Sequence, residues 1–181
     1  MNRNLYALIF CFAFGLSACA QQGALENSTP TNSATGNPAS ASAQATATQI
    51  VRHEALPTEI ARGAAAEAIV RLSIADGYHI NANPPTYPYL KATQLDIASA
   101  NNITVAGKPV YPPAQSVKFS FDPKPLDVYE GAVEIKVPLR ASDTAAQGSF
   151  SLAGKLQVQP CDDQQCYAPR TIDVSIPVTI K

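Results

Sequence analysis

From residue 50 to the C-terminus the chain alternates between apolar and polar positions with a period of two. Ala68, Val70, Leu72 and Ile74 interleave with Glu67, Arg71 and Ser73, and Val133, Ile135, Val137 and Leu139 interleave with Glu134 and Lys136. Phe150, Leu152, Leu156 and Val158 stand against Ser151, Lys155 and Gln157. Ile172, Val174, Ile176, Val178 and Ile180 stand against Asp173, Ser175 and Thr179. Shorter runs at 50–55, 95–97 and 117–121 fit the same scheme. Successive side chains of a strand point to opposite faces, so each run has one apolar and one wet face, as antiparallel sheets require. Pro138 and Pro177 fall on outward positions, where an edge or a bulge tolerates the missing N–H. An Ala-rich stretch at 59–68 suits a helical turn, although Gly63 interrupts it. The prediction is an all-β, immunoglobulin-like antiparallel sandwich over residues 50–181.

The first 49 residues read differently. Met1-Asn2-Arg3-Asn4 is a short positive start, and residues 5–15 form an apolar run too short to anchor a chain across a bilayer. With Leu16-Ser17-Ala18-Cys19 after it, the segment at 1–18 resembles a bacterial lipoprotein signal peptide, in which Cys19 is lipidated and becomes the new N-terminus. Ordinary cleavage after Ala20 is the alternative, because Ala18-Cys19-Ala20 satisfies the small-x-small rule. The residue after Cys19 is not Asp, which resembles an outer-membrane rather than an inner-membrane sorting signal. Residues 20–49 are dominated by Ala, Ser, Thr, Asn, Gln, Gly and Pro, with Glu26 the only charge. Such a composition is expected to stay disordered, and as a coil it reaches about 30 Å. Residues 19–49 thus read as a lipidated tether holding the domain on the periplasmic side of the cell envelope.

Composition narrows the chemistry. The formal net charge is −1 with no basic block, so nothing points to nucleic acid. The 46% hydrophobic content is enough for a sizeable core. Two histidines leave little room for His-based metal or acid–base clusters, and no Ser/His/Asp set, carboxylate pair or phosphate loop is apparent. No cofactor is implied. Cys11 leaves with the signal peptide and Cys19 takes the lipid, which leaves Cys161 and Cys166.

These two lie in Gln159-Pro160-Cys161-Asp162-Asp163-Gln164-Gln165-Cys166-Tyr167-Ala168-Pro169-Arg170, between two strand-like runs. A turn can bring their sulfurs within bonding distance. Closing so small a loop restrains the unfolded chain by only about 2 kcal/mol. Three readings stand: a pair that turns over in thiol–disulfide exchange, a structural clip in a lipid-anchored binding or assembly module, and a metal site. The last would use both thiols and His79, but a closed zinc site wants a fourth ligand. Tyr78 and His79 sit in a Gly- and Pro-rich connection that is either a turn packed by its own aromatics or one wall of the cysteine site. Asp162 and Asp163 disfavour a thiolate at Cys161, whereas Arg170 favours one at Cys166.

Taken with Gly77-Tyr78-His79-Ile80-Asn81-Ala82-Asn83-Pro84-Pro85 and Val128-Tyr129-Glu130-Gly131, the cysteine segment resembles that of the N-terminal periplasmic domain of the thiol:disulfide interchange protein DsbD. The likeness spans the whole alternating part, and its most specific piece is the pair followed by Tyr167-Ala168-Pro169-Arg170-Thr171-Ile172. It implies that Cys161 and Cys166 take electrons from a thioredoxin-like donor and pass them to periplasmic disulfide proteins. It also implies that the second cysteine, Cys166, forms the mixed disulfide and Cys161 resolves it. An aromatic cap loop over the pair would map onto the stiff segment at 119–126, where Phe119 and Phe121 either shield the pair or belong to the core; Tyr129 and Tyr167 are further candidates for the wall of the site. One residue fewer separates the cysteines here than in the best-known member. The family's full-length protein continues into a membrane electron-transfer domain and a thioredoxin domain, so a chain ending at Lys181 is expected either to draw electrons from a separate protein or not to shuttle electrons at all.

Overall fold

The computed structural model describes residues 50–181; the segments expected to form a signal peptide and a tether, with Cys19, lie outside them. Among the described residues the elements are β1 (Val51–Ala55), β2 (Thr58–Ile60), β3 (Ala65–Ile74), β4 (His79–Asn81), β5 (Gln94–Ile97) and β6 (Ile103–Val105). They continue with β7 (Gln115–Val117), β8 (Leu126–Tyr129), β9 (Ala132–Ala141), β10 (Gly148–Val158), β11 (Pro160–Cys161) and β12 (Arg170–Ile180). The four long alternating runs are β3, β9, β10 and β12. β3 pairs antiparallel with β9 at the centre of a sheet ordered β1-β3-β9-β6, and β10 pairs antiparallel with β12 in a sheet ordered β2-β12-β10-β5. Their apolar faces meet in one core, with Val70, Leu72, Ile135, Val137 and Leu139 from the first sheet and Leu152, Leu156, Ile176 and Val178 from the second. Burial of each such side chain stabilises the fold by about 1.5–3 kcal/mol. The architecture is an all-β, immunoglobulin-like sandwich.

One detail departs from the sequence reading, and another settles a choice it left open. The stretch expected to turn helically is instead β2, a tight turn and the start of β3. β2 joins β12 in parallel, and Gly63 takes the left-handed conformation (φ 70°) in the tight turn between β2 and β3. Pro138 lies in β9, which is flanked on both sides rather than at an edge. Its carbonyl accepts from Ala106 N–H at 2.8 Å, so its nitrogen points the same way, toward the strand that includes β6. There the neighbour bulges. Val105 faces Leu139 but Val110 faces Lys136, so five steps along one segment answer three along β9. The missing N–H meets this bulge, where no ladder bond is needed.

A third, smaller sheet is ordered β11-β4-β8-β7, all its pairings antiparallel. Its two faces do different jobs. Ile80 and Tyr129, opposite each other, join the main core. Val128, one position along, packs instead with Phe119 and Leu126 in a separate small cluster. That second face carries the cysteines.

Candidate functional site

β10 runs into β11 through Gln159, and after Cys161 the chain makes a tight hairpin. Asp162 N–H donates to Gln165 O at 2.9 Å and Tyr167 N–H to Pro160 O at 2.8 Å, so Cys161 and Cys166 face each other as a bridge and are joined by a disulfide. Asp162 shapes this loop. One carboxylate oxygen accepts from the N–H groups of Gln164 and Gln165, each at 2.8 Å, and the other accepts from the Tyr167 hydroxyl. Burial pushes the Asp162 carboxyl up, but the Tyr167 hydroxyl and the two amides outweigh it and hold it below the usual carboxylate range. The same hydrogen bond to Asp162, with burial behind it, raises the Tyr167 phenol above its ordinary value. Gln159 ties the loop to its surroundings, donating to Tyr167 O at 3.1 Å and accepting from Lys91 N–H and the Asn81 amide.

The two sulfurs are not equivalent. Cys161 is fully buried (0% exposed), whereas Cys166 is half-buried at the end of the hairpin. The difference expected from charge takes another form. The Asp162 carboxylate is turned into its own loop and bonded there, and Arg170 opens β12 opposite Val158 with no side-chain hydrogen bond or ion pair among the described residues. Access sets Cys166 apart.

His79 stands directly across from Cys161 in the ladder between β4 and β11. Its ring meets Phe119 edge-on, centroids 4.9 Å apart, and its Nε2 lies 3.1 Å from Glu130 Oε2. Phe119 is 2% exposed and stacks on Phe121, which is 38% exposed. These two rings begin a loop fastened to the disulfide hairpin, where Ser120 Oγ donates to Asp163 O at 2.8 Å. Asp122 organises the loop from within, accepting from Lys124 N–H at 2.9 Å and from the Tyr87 hydroxyl at 3.0 Å. Tyr78 packs at a tilt against Tyr167, centroids 6.3 Å apart, at the side of the hairpin. Tyr129 is elsewhere. It points into the main core, and its hydroxyl accepts from Asn83 N–H at 3.2 Å, so it does not line the cysteine face.

Sequence reasoning passed over Glu130, Ser120, Gln159 and the loop-shaping role of Asp162. Only Asp162 carried a signal, since an Asx residue followed by three polar positions is a turn former. The others become site residues through register and loop contact.

The fold and the site together define an immunoglobulin-like domain that carries a joined cysteine pair on a hairpin beside an aromatic loop, the outfit of a thiol–disulfide interchange module. The family model of the thiol:disulfide interchange protein DsbD, N-terminal, matches residues 46–177, and the chain belongs to this family. Among solved structures it is similar to the reduced N-terminal domain of DsbD from Neisseria meningitidis, with 20% identity, 65% of this chain and 82% of that one covered, and a TM-score of 0.42. It is also similar to the N-terminal periplasmic domain of ScsB from Proteus mirabilis (14% identity, 71% of this chain, TM-score 0.47), of which it spans 45%. A third is the complex between the DsbD and PilB N-terminal domains of Neisseria meningitidis (19% identity, 60% and 73% covered, TM-score 0.38). No curated protein matches the chain.

Proposed function

We propose that this chain is a periplasmic thiol–disulfide interchange module whose Cys161–Cys166 pair takes electrons from a thioredoxin-like donor and passes them to periplasmic disulfide proteins. The observation that carries the reading is the asymmetry of the pair: a partly exposed Cys166 joined to a buried Cys161. Exchange proceeds by thiolate attack through a mixed disulfide, and a partner sulfur can reach only an accessible one. Cys166 is then the sulfur that meets the partner, and Cys161, protected in the sheet, is the one that resolves the adduct. The loop of Phe119 and Phe121, pinned to the hairpin through Ser120, limits access by small thiols. Cys19 is proposed to carry a lipid that holds the domain at the membrane, the outer one in a host with two, with residues 20–49 as tether.

The reduction potential of the pair tests this. Exchange proteins lie at about −120 to −270 mV, and structural disulfides below about −300 mV. Equilibration of the purified domain with glutathione and dithiothreitol buffers should place the pair in the first range. A value below about −300 mV would make it a structural clip.

A further inference from the structure

His79 on β4 and Cys161 on β11 form one row with Glu130, the residue directly after β8. Ile80 faces Tyr129 and Asn81 faces Val128, so the next step of that ladder puts Glu130 beside His79. On the other side of β4, Cys161 is the register partner of His79. Directly opposed residues of antiparallel strands share a face, with Cβ atoms about 4.5–5.5 Å apart. The row thus reads carboxylate, imidazole, sulfur. Its first contact is the Nε2 to Oε2 approach of 3.1 Å. The imidazole is 9% exposed, and its Nδ1 is buried without a hydrogen-bond partner. An unpartnered buried nitrogen is costly and calls for an explanation.

The oxidation state supplies one. With the ring proton on Nε2, beside the Glu130 carboxylate, Nδ1 is an acceptor. A disulfide sulfur has no proton to offer it, but the Cys161 thiol formed on reduction does. We propose that His79 is the proton acceptor for Cys161 when the pair turns over, with Glu130 as its positioning residue; this rests on the interchange reading above. The balance is as follows. Cys166 thiolate attacks a substrate disulfide, forming a mixed disulfide and releasing one substrate thiolate. His79 Nδ1 then takes the Cys161 proton, and the Cys161 thiolate attacks Cys166 Sγ. The bond between Cys166 and the substrate breaks, its electron pair leaves on the second substrate sulfur, and that sulfur is protonated by the imidazolium or by water. Two electrons pass from the pair to the substrate disulfide. A nucleophile, a base and a group that orients the base is the arrangement that activates thiols elsewhere.

The ionisable groups beside His79 are Glu130, just past β8, and Cys161 from β11, with Asp76, Tyr78, Asp162 and Tyr167 on the adjoining turns. Asp162 and Tyr167 are bonded to each other. Lys118 and Asp122, on the loop of Phe119, are engaged within that loop and with Tyr87.

The test mixes the reduced full chain with dithiobis-nitrobenzoate and follows the two thiolates released. The first reports the mixed disulfide at Cys166 and the second its resolution by Cys161. His79→Gln should leave the first phase unchanged and slow the second by about 100-fold at neutral pH. It should also remove the acid-side inflection from the pH profile of that phase, and the gap should close at alkaline pH, where the thiol ionises unaided. Glu130→Gln should slow the same phase less. Its side chain is 41% exposed, so it keeps the test readable if the His79 variant does not fold. Two normal wild-type phases, with the second unmoved in rate and pH profile by either variant, overturn the proton-acceptor role alone. A wild-type pair that releases no second thiolate overturns the interchange reading, and the role with it.

Discussion

Ser120 donates its hydroxyl proton to the carbonyl of Asp163 at 2.8 Å, and so fastens the loop of Phe119 and Phe121 to the hairpin that holds the disulfide. The two segments are 43 residues apart in the chain. A bond of this kind contributes about 1 kcal/mol net, or roughly a fivefold bias toward the closed arrangement. Ser120→Ala should therefore speed reduction of the pair by a small thiol, up to about fivefold, and lower the melting temperature by no more than about 5 °C. An unchanged rate would remove the loop as a barrier.

The two phenylalanines should separate stability from access. Phe119 is core to its small cluster, and Phe119→Ala should cost about 3–5 kcal/mol in unfolding free energy. Phe121 is partly exposed, so Phe121→Ala should leave stability nearly intact while raising the rate of reduction. Chemical denaturation and thiol-reduction kinetics on the two variants check both halves. If neither variant changes the reduction rate, the rings serve packing alone.

The hairpin should lose stability at both ends of the pH scale. Asp162 has a carboxyl held below its usual range, so its contribution is present above about pH 3.9 and disappears as pH falls through the folded-state value. Tyr167 has a phenol raised above its usual range, so its contribution is present below about pH 10 and disappears as pH rises through the folded-state value. Thermal melts of the oxidised domain across pH should show both limbs. Asp162→Asn should flatten the acid limb and Tyr167→Phe the alkaline one.

A partner should be trapped through one sulfur only. Cys161→Ala leaves the accessible Cys166 to form an adduct that nothing resolves, visible as a reducible higher-mass band in a periplasmic extract. Cys166→Ala leaves only the buried Cys161 and should trap far less. Equal trapping by both would overturn the assignment of roles.

Lipidation is tested in cells. A palmitate analogue should label the wild-type chain and not Cys19→Ala. Equal labelling would return the segment at 1–18 to an ordinary signal peptide.

The sandwich was legible in the sequence because β3, β9, β10 and β12 are ten or eleven residues long and buried on one face, which leaves a sustained period of two. The sheet beneath the site was not. β4 is three residues long, and His79, Ile80 and Asn81 are all buried, so no alternation marks it. The cysteine pair and its aromatic neighbours stood out by residue type and resemblance. The fate of the Asp162 charge did not, because a carboxylate beside a cysteine reads as repulsive until its hydrogen bonds are seen to turn it into the loop. Glu130 was hidden for a different reason: its closeness to His79 is a matter of register between β4 and β8, 51 positions apart.

The bulge opposite Pro138 has a consequence for how the domain behaves among copies of itself. The segment from β6 to Val110 is the outermost chain on that side of its sheet, where an unbroken row of free N–H and C=O groups would invite another strand to add on. The extra residues at 106–110, among them Pro109, break that row, and Lys108 adds a charge to it. A proline in an interior strand thus shapes the neighbour into an edge that resists aggregation.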